Sequence, residues 1–536
     1  MNGWPALWPL RWSDEQRASY YQSGIWGSED LWRAACAAAD RRPGAQAYAD
    51  STERLTWGEL VDRSAALARG FLDRGIGAGD VIAVQLPNWV EYPLVRYATS
   101  AAGAVLLSFP PSAGPQHTAH LLRRCGAKVL VTSAEPAPEV CAALTSPGLV
   151  ISVRGTFRSG IDLASASMDG GQRPAGGDPD SIDLLMGTSG TTGTPKLVMR
   201  TPNCFLAMSR SLVHRIGLDH DDTLLITAPV AQGMGYMHGI VEAALSGCRV
   251  ILLESLRAEA MLDAIERERV TVQSAVPTLA IRLLALSGIG VADTSSLRCH
   301  LNGGAVLPPD TARDLEERVG CRILNLYGSL DIGVATMTSP QTDSPAARHT
   351  TVGQVVEATE FRLVGSDGAQ AGAGEVGEVV IRGANTAVGY FADPEGTARA
   401  FDAEGWGHLG DLGSVDAAGY LRISGRLKDV IIRGGHNVSA PRVESVAREH
   451  PAVLDAAAVG YPDPELGERC VIFVVLQAGA TLDLPGLVAF FAEQGVPKTD
   501  WPERLESVSE LPMDTQGKVR KSQLQERLST AGSADL

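Results

Sequence analysis

Short apolar runs alternate with helix-period stretches along most of the first 330 residues. Residues 81–86 (VIAVQL) form one such run and stop at Pro87-Asn88. Apolar positions then recur at helical spacing through Val90, Leu94 and Tyr97. The runs at 104–107, 128–132, 224–227, 250–253 and 323–326 repeat the pattern. Continuous apolar strands separated by amphipathic helices predict an α/β fold of layered, mostly parallel sheets covered by helices. From about residue 352 to 421 the pattern changes. Runs such as 378–382 (EVVIR) sit between glycine-rich turns and predict a small antiparallel β unit. A further shift comes at 425–429. Beyond it lie predicted strands at 456–459 and 471–476 and predicted helices at 442–449 and 484–494, enough for a small α+β domain with its own core. The expected organisation is a large N-terminal domain, 1–427, and a small mobile C-terminal domain, 428–536, with a frayed tail from Ser529.

Composition narrows the function. The chain of 536 residues is 45% hydrophobic, and its net charge of −16 disfavours a broad nucleic-acid or anionic-membrane surface. No run of about twenty apolar residues occurs, so no membrane span is expected. Residues 1–12 lack the basic start and apolar core of a secretory signal. Eight cysteines are scattered without a C-x-x-C pair, as suits reduced, packed thiols in the cytoplasm.

The most informative chemistry lies at 184–196, where an apolar run enters Thr188-Ser189-Gly190-Thr191-Thr192-Gly193-Thr194-Pro195-Lys196. Glycines let backbone N–H groups approach an anion, hydroxyls add donors, and Lys196 adds a charge, a set suited to a polyphosphate. The P-loop pattern is not matched, because Pro195 separates glycine from lysine and Leu197 stands where Ser or Thr is required.

This segment resembles the phosphate-binding signature of the adenylate-forming superfamily, which includes acyl-CoA synthetases, aryl-acid adenylating enzymes, peptide-synthetase adenylation domains and beetle luciferases. The resemblance runs in family order from about residue 50 to 525. It implies that Asn302-Gly303-Gly304-Ala305 lies along adenine and the acyl group. Asn325-Leu326-Tyr327-Gly328-Ser329-Leu330-Asp331 resembles the family's Tyr-Gly-x-Thr-Glu segment, which implies adenine stacking by Tyr327 and Mg²⁺ coordination by Asp331. Here Asp331 stands for the usual Glu and Leu330 for the usual Thr. Leu409-Gly410-Asp411 resembles the motif that offers a carboxylate to the ribose hydroxyls. Gly425-Arg426-Leu427-Lys428-Asp429 resembles the hinge, with Arg426 toward ribose or phosphates and Lys428 as the turning residue. Gly434 and Gly435 match the loop that lines the pantetheine tunnel, and Leu511-Pro512…Gly517-Lys518 matches the C-terminal catalytic-lysine motif.

Trp12 and 20–26 (YYQSGIW) resemble the N-terminal arm of stand-alone aryl-acid adenylating enzymes of the 2,3-dihydroxybenzoate–AMP ligase type, and 196–201 resembles the same branch. The acid pocket departs from it. Gln232-Gly233-Met234-Gly235 occupies the substrate segment at 228–238, where dihydroxybenzoate enzymes carry His-Asn in place of Gln232-Gly233. Gly233 cannot donate to a ring 2-hydroxyl, and Gly233 with Gly235 would leave empty volume for a bulkier acid. The expected activity is that of an acid–AMP or acid–thiol ligase of the EC 6.2.1 type. It uses ATP and Mg²⁺ to form an acyl-adenylate, then passes the acyl group to the thiol of CoA or a carrier protein. The expected acid is a bulky aromatic or alicyclic one of specialised metabolism, such as antibiotic or siderophore biosynthesis. The rival readings are a salicylate or dihydroxybenzoate ligase, a luciferase-like monooxygenase, and a weakened homologue that only binds acyl-AMP.

Overall fold

The computed structural model describes residues 12–158, 160–187, 196–365, 367–433, 436–464, 466–513 and 519–531. The chain forms two compact units, one of residues 1–360 with 381–407 and one of 361–380 with 408–536.

The first unit holds two large parallel-rich sheets. One has eight strands, with Gly389–Tyr390, Leu197–Arg200, Leu184–Gly187, Val105–Ser108, Val81–Gln85 and Ala127–Thr132 as its first six neighbours. Leu184–Gly187 runs parallel to Val105–Ser108, and Leu197–Arg200 turns back antiparallel beside it. The other sheet has nine strands, with Arg322–Ser329, Cys299–Asn302, Val272–Ala275, Thr223–Ile226 and Arg249–Leu252 in parallel succession. The apolar runs expected as strands therefore form the interiors of these sheets. Their side chains join helices Leu31–Arg41, Trp57–Asp73 and Glu91–Ala101 in one core containing Trp32, Trp57, Phe71 and Tyr97. A capping box between Thr56 and Glu59 starts the second of these helices.

The N-terminal arm is tied to the same unit. Trp12 Nε1 donates to the Gly383 carbonyl at 3.2 Å and Trp26 Nε1 to the Ala384 carbonyl at 3.1 Å. The two indoles meet edge to face with centroids 5.0 Å apart.

A four-stranded sheet, Thr359–Val364, Gly377–Gly383, Gly407–Val415 and Leu421–Arg426, belongs mostly to the second unit. The second unit also contains a five-stranded sheet in which Val453–Asp463 and Gly467–Leu476 form a long antiparallel pair. Helices Ala440–Arg448 and Leu484–Glu493 cover a core of Val443, Ile472, Leu487 and Phe491. The small β unit is narrower than the pattern at 352–421 predicts. Gln354–Val355 and Gly389–Tyr390 extend the edges of the two large sheets instead. Edge strands of two residues carry too little periodicity to be assigned to a sheet from sequence.

Candidate functional site

The strand Leu184–Gly187 and its partner Leu197–Arg200 are in register, with Gly187 opposite Leu197. Thr188, Ser189, Gly190, Thr191, Thr192 and Gly193, between them, lie outside the described residues; Lys196 is described. Its ammonium sits 4.4 Å from the centre of the Tyr390 ring, within cation–π range. Tyr390 pairs with Val198 across the sheet edge. Burial pushes the Tyr390 hydroxyl well above its ordinary value, and the neighbouring Asp331 carboxylate adds to the shift. Lys196, Tyr390 and Asp331 thus form one cluster.

Asp331 is buried, with 8% of its surface exposed. One carboxylate oxygen faces the Ser329 hydroxyl at 3.3 Å, and the Asp331 N–H donates to the same hydroxyl at 3.2 Å. The other oxygen, Oδ1, is buried with no hydrogen-bond partner among the described residues. A buried carboxylate oxygen without a donor fits a hard cation that takes one carboxylate together with phosphate oxygens and water. Arg200 holds this segment from below. Its Nε and Nη2 both donate to the Leu330 carbonyl, at 2.9 and 2.5 Å, and its Nη1 donates to the Asn385 carbonyl at 2.5 Å. Thr201 caps the following helix Pro202–Ile216, so the guanidinium leaves the chain at a fixed strand-to-helix junction. Burial lowers the Arg200 pKa, and nearby Asp331 is among the charges that oppose the shift.

The second wall is built from two neighbouring strands, Cys299–Asn302 and Arg322–Ser329. Asn302 Nδ2 donates to Asn325 Oδ1 at 2.8 Å, and Asn325 Nδ2 donates to the carbonyls of Arg348 and Thr351. These bonds fix the turn Gly303-Gly304-Ala305 beside the strand Arg322–Ser329, which carries half-buried Tyr327, Gly328 and Ser329 at its end. A Cβ on Gly303 would fall 2.9 Å from Leu326 Cδ1 and 3.0 Å from the Met234 sulfur. Met234 therefore lies over Gly303, where a larger residue would have to displace the side-chain ends of Leu326 and Met234.

Gln232 precedes the short helix Gly233–Tyr236, which continues into a π-helical turn at Met237–Glu242. Asn88 clamps the entry to this helix. Its amide donates to the carbonyls of Ala228 and Leu253, at 3.1 and 3.0 Å, and its carbonyl accepts from Val230 N–H at 2.8 Å. Buried Arg96 bonds the Tyr236 hydroxyl and Asp183, each at 2.5 Å, and so ties this helix to the strand that begins at Leu184. The expected void is only half present. A Cβ on Gly233 would meet nothing nearer than Leu330 Cδ1 at 4.0 Å, but one on Gly235 would lie 2.3 Å from the Pro229 carbonyl oxygen. Gly235 is required by close backbone packing and contributes no pocket volume.

In the second unit Asp411 is buried and accepts from Arg426 Nε at 2.6 Å, across an antiparallel pair that places the two residues opposite each other. Lys428 lies in a single 3₁₀ turn, Leu427–Asp429. Gly434, Gly435 and Lys518 lie outside the described residues. On either side of 514–518, Met513 and Val519 form an antiparallel bridge. No group of three or more His, Cys, Asp or Glu side chains among the described residues is arranged to hold a metal. Sequence reading missed Arg96, Arg200, Tyr390 and Asn88 as site residues. Arg96, Arg200 and Asn88 stood inside stretches read from the sequence, and none carried a signal of its distant partners.

Comparison with known proteins adds independent findings. The model of the AMP-binding enzyme family matches residues 36–391, and that of the AMP-binding enzyme C-terminal domain matches 442–518. The medium-chain fatty-acid–CoA ligase of Escherichia coli K12 is 33% identical over 96% of this chain and 93% of its own length. The 2-hydroxy-7-methoxy-5-methyl-1-naphthoate–CoA ligase of Streptomyces carzinostaticus is 31% identical over 96% of each. The crystal structure of ATP-bound MatB from Rhodopseudomonas palustris superposes with a TM-score of 0.84 at 26% identity, covering 93% of this chain and 99% of that one.

Proposed function

The chain belongs to the adenylate-forming superfamily of AMP-binding enzymes, and from that premise we propose that it activates a bulky aromatic or alicyclic carboxylic acid and passes it to a pantetheine thiol. The first half of that activity, ATP-dependent activation of a carboxylic acid with release of pyrophosphate, is the family's own chemistry. A carboxylate is a poor acyl donor because its leaving group would be oxide. Attack of a carboxylate oxygen on the α-phosphorus of ATP expels pyrophosphate and leaves a mixed anhydride whose leaving group is AMP. A thiol then attacks the acyl carbon, the C–S bond forms, and AMP departs.

Roles for individual residues follow from chemistry and placement. Negative charge grows on the α-phosphoryl oxygens during the first step. Lys518, the loop hydroxyls of Thr188, Ser189, Thr191 and Thr192, and Lys196 are assigned to stabilise it. Mg²⁺, held through Asp331 Oδ1, would supply further positive charge to the phosphates. Tyr327 and the Gly303-Gly304-Ala305 turn are assigned to adenine, Asp411 and Arg426 to ribose and phosphate, and Lys428 to the hinge between a 1–427 body and a 428–536 lid. Gly434 and Gly435 are assigned to the thiol tunnel. The acceptor is CoA or a carrier protein. Eight free cysteines and the need for ATP support a reducing, cytoplasmic setting. Among the described residues no helix is long and apolar enough to cross a membrane.

The open space at Gly233 carries the acid assignment. It favours ring systems larger than salicylate, and the Streptomyces relative named for a naphthoate supports that direction. The test is pyrophosphate release across salicylate, 2,3-dihydroxybenzoate, naphthoates and alicyclic acids. A larger acid should give the highest kcat/KM; clear preference for salicylate would overturn the assignment.

A further inference from the structure

The chain around Asp331 rests on two supports, and the N-terminal arm bonds to both. One support is the run 383–387. The carbonyls of Gly383, Ala384 and Asn385 accept in succession from Trp12 Nε1 at 3.2 Å, Trp26 Nε1 at 3.1 Å and Arg200 Nη1 at 2.5 Å. Two residues on, the Ala387 N–H donates to the Asp331 carbonyl at 2.7 Å. Asn385 Nδ2 donates to the Val334 carbonyl at 2.8 Å and closes the run against the chain that follows Asp331.

The other support is the junction at Arg200, whose guanidinium holds the Leu330 carbonyl, one residue before Asp331. Three residues after Arg200, Asn203 meets the arm. Its Nδ2 donates to the Tyr21 hydroxyl at 3.0 Å, and its Oδ1 accepts from the Gly27 N–H at 3.1 Å. Ion pairs Arg17–Asp180 at 2.6 Å and Glu29–Arg210 at 2.7 Å fasten the arm at two further points. Within the arm the Trp26 ring packs on Trp12, Tyr20 and Tyr21, with centres 5.0, 5.0 and 5.9 Å away. Trp12 and Trp26 are 4% and 2% exposed, so an indole N–H deprived of its carbonyl would be left buried and unsatisfied. The whole arm lies ahead of residue 36, where the family match begins.

We propose that the arm is a positioning element of the ATP site, in which Trp12, Trp26 and Tyr21 keep the two supports of Asp331 at a fixed spacing and so aim its carboxylate at the phosphates and their cation. This rests on the assignment of Asp331 to that cation. Asp331 has one methylene between backbone and carboxylate, so the placement of its backbone sets where the carboxylate reaches. That backbone is bonded at the Leu330 carbonyl by Arg200 and at the Asp331 carbonyl by Ala387. The arm grips the chain within three residues of each of these donors, at Asn203 and at Ala384. Displacing a reacting geometry by about 1 Å from a distant site costs about 10²-fold, so small slack in these supports is felt at the phosphates.

The test removes the indole donors and keeps aromatic rings. W12F/W26F is compared with W32F, in which an indole of helix Leu31–Arg41 in the same unit loses an equivalent bond, to the Pro174 carbonyl at 2.8 Å. Two readouts are taken. One is the KM for Mg²⁺-ATP in acid-dependent pyrophosphate exchange. The other is the part of the ATP-induced rise in Tm that depends on Mg²⁺, which needs no acid and no turnover. W12F/W26F should raise the KM about fivefold, the scale of one neutral hydrogen bond, and shrink the Mg²⁺-dependent rise in Tm. W32F should lower the resting Tm and move neither readout. The single variants W12F and W26F make the same comparison if the double variant does not fold. Unchanged readouts in W12F/W26F, or equal changes in W32F, would overturn the proposal. D331N separates the two levels of the claim. If D331N leaves both readouts unchanged, the cation assignment fails and the proposal with it; an effect in D331N with none in W12F/W26F strikes the arm alone.

Discussion

Tyr390 offers its ring to Lys196 and its hydroxyl to the neighbourhood of Asp331, so one side chain holds two charged groups of opposite sign in place. Tyr390→Ala should lower kcat/KM for ATP by roughly tenfold, the scale of a partly buried cation–π contact of about 1–2 kcal/mol. Tyr390→Phe keeps the ring and should cost less. Equal losses in both variants, measured by pyrophosphate release, would assign the effect to the hydroxyl instead. Residues of this kind are hard to see in a sequence. Lys196 and Asp331 stand inside contiguous motifs. Arg200 acts through carbonyls 130 and 185 residues away, and Arg96 through a hydroxyl 140 residues away, so neither partner shares a local pattern with it.

At the scale of the element, the helix that begins at Gly233 separates two glycines that look alike in sequence. Gly235→Ala forces a methyl against the Pro229 carbonyl and should destabilise the protein by about 1–3 kcal/mol, seen as a lower urea midpoint. Gly233→Ala should leave that midpoint unchanged and shift acid preference toward smaller rings. The strands and helices themselves were legible because apolar runs and 3.6-residue periodicity follow directly from burial on two faces or one. What periodicity cannot report is a backbone approach such as that at Gly235, since a glycine in a pocket and a glycine against a carbonyl read alike. A further element-level test concerns the edge hairpin at Arg54–Thr56. Glu268, at the end of helix Ala258–Glu268, receives Arg54 at 2.8 and 3.1 Å and is also paired with Arg249. Its carboxyl is pulled down to about 2 from 4.5, first by the Arg54 hydrogen bond. A depressed folded value stabilises the protein above pH 4.5, and that contribution is lost as pH falls toward 2. Urea midpoints followed across this window should fall for wild type more steeply than for Glu268→Gln.

At the scale of the molecule, the chain divides into two compact units, and the family match spans both. The order of motifs along the chain was readable because each is a short run of special residues. The assignment of 361–380 and 408–427 to the second unit was not, because sheet membership depends on which strand lies alongside which. If Lys428 is the turning point, Lys428→Pro should leave adenylation near the wild-type rate and suppress thioester formation, because fixing φ prevents the second arrangement. Single-turnover assays of each half-reaction check this, and unimpaired thioester formation would remove the hinge from Lys428. If Lys518 acts in the first half-reaction, as proposed, Lys518→Ala should slow it roughly 100–1000-fold, the cost of one lost electrostatic donor. Acid-dependent exchange of labelled pyrophosphate into ATP tests the central claim most directly. Wild type should incorporate label only when a suitable acid is present. No exchange with any acid across the panel, by a folded protein, would contradict acyl-adenylate formation.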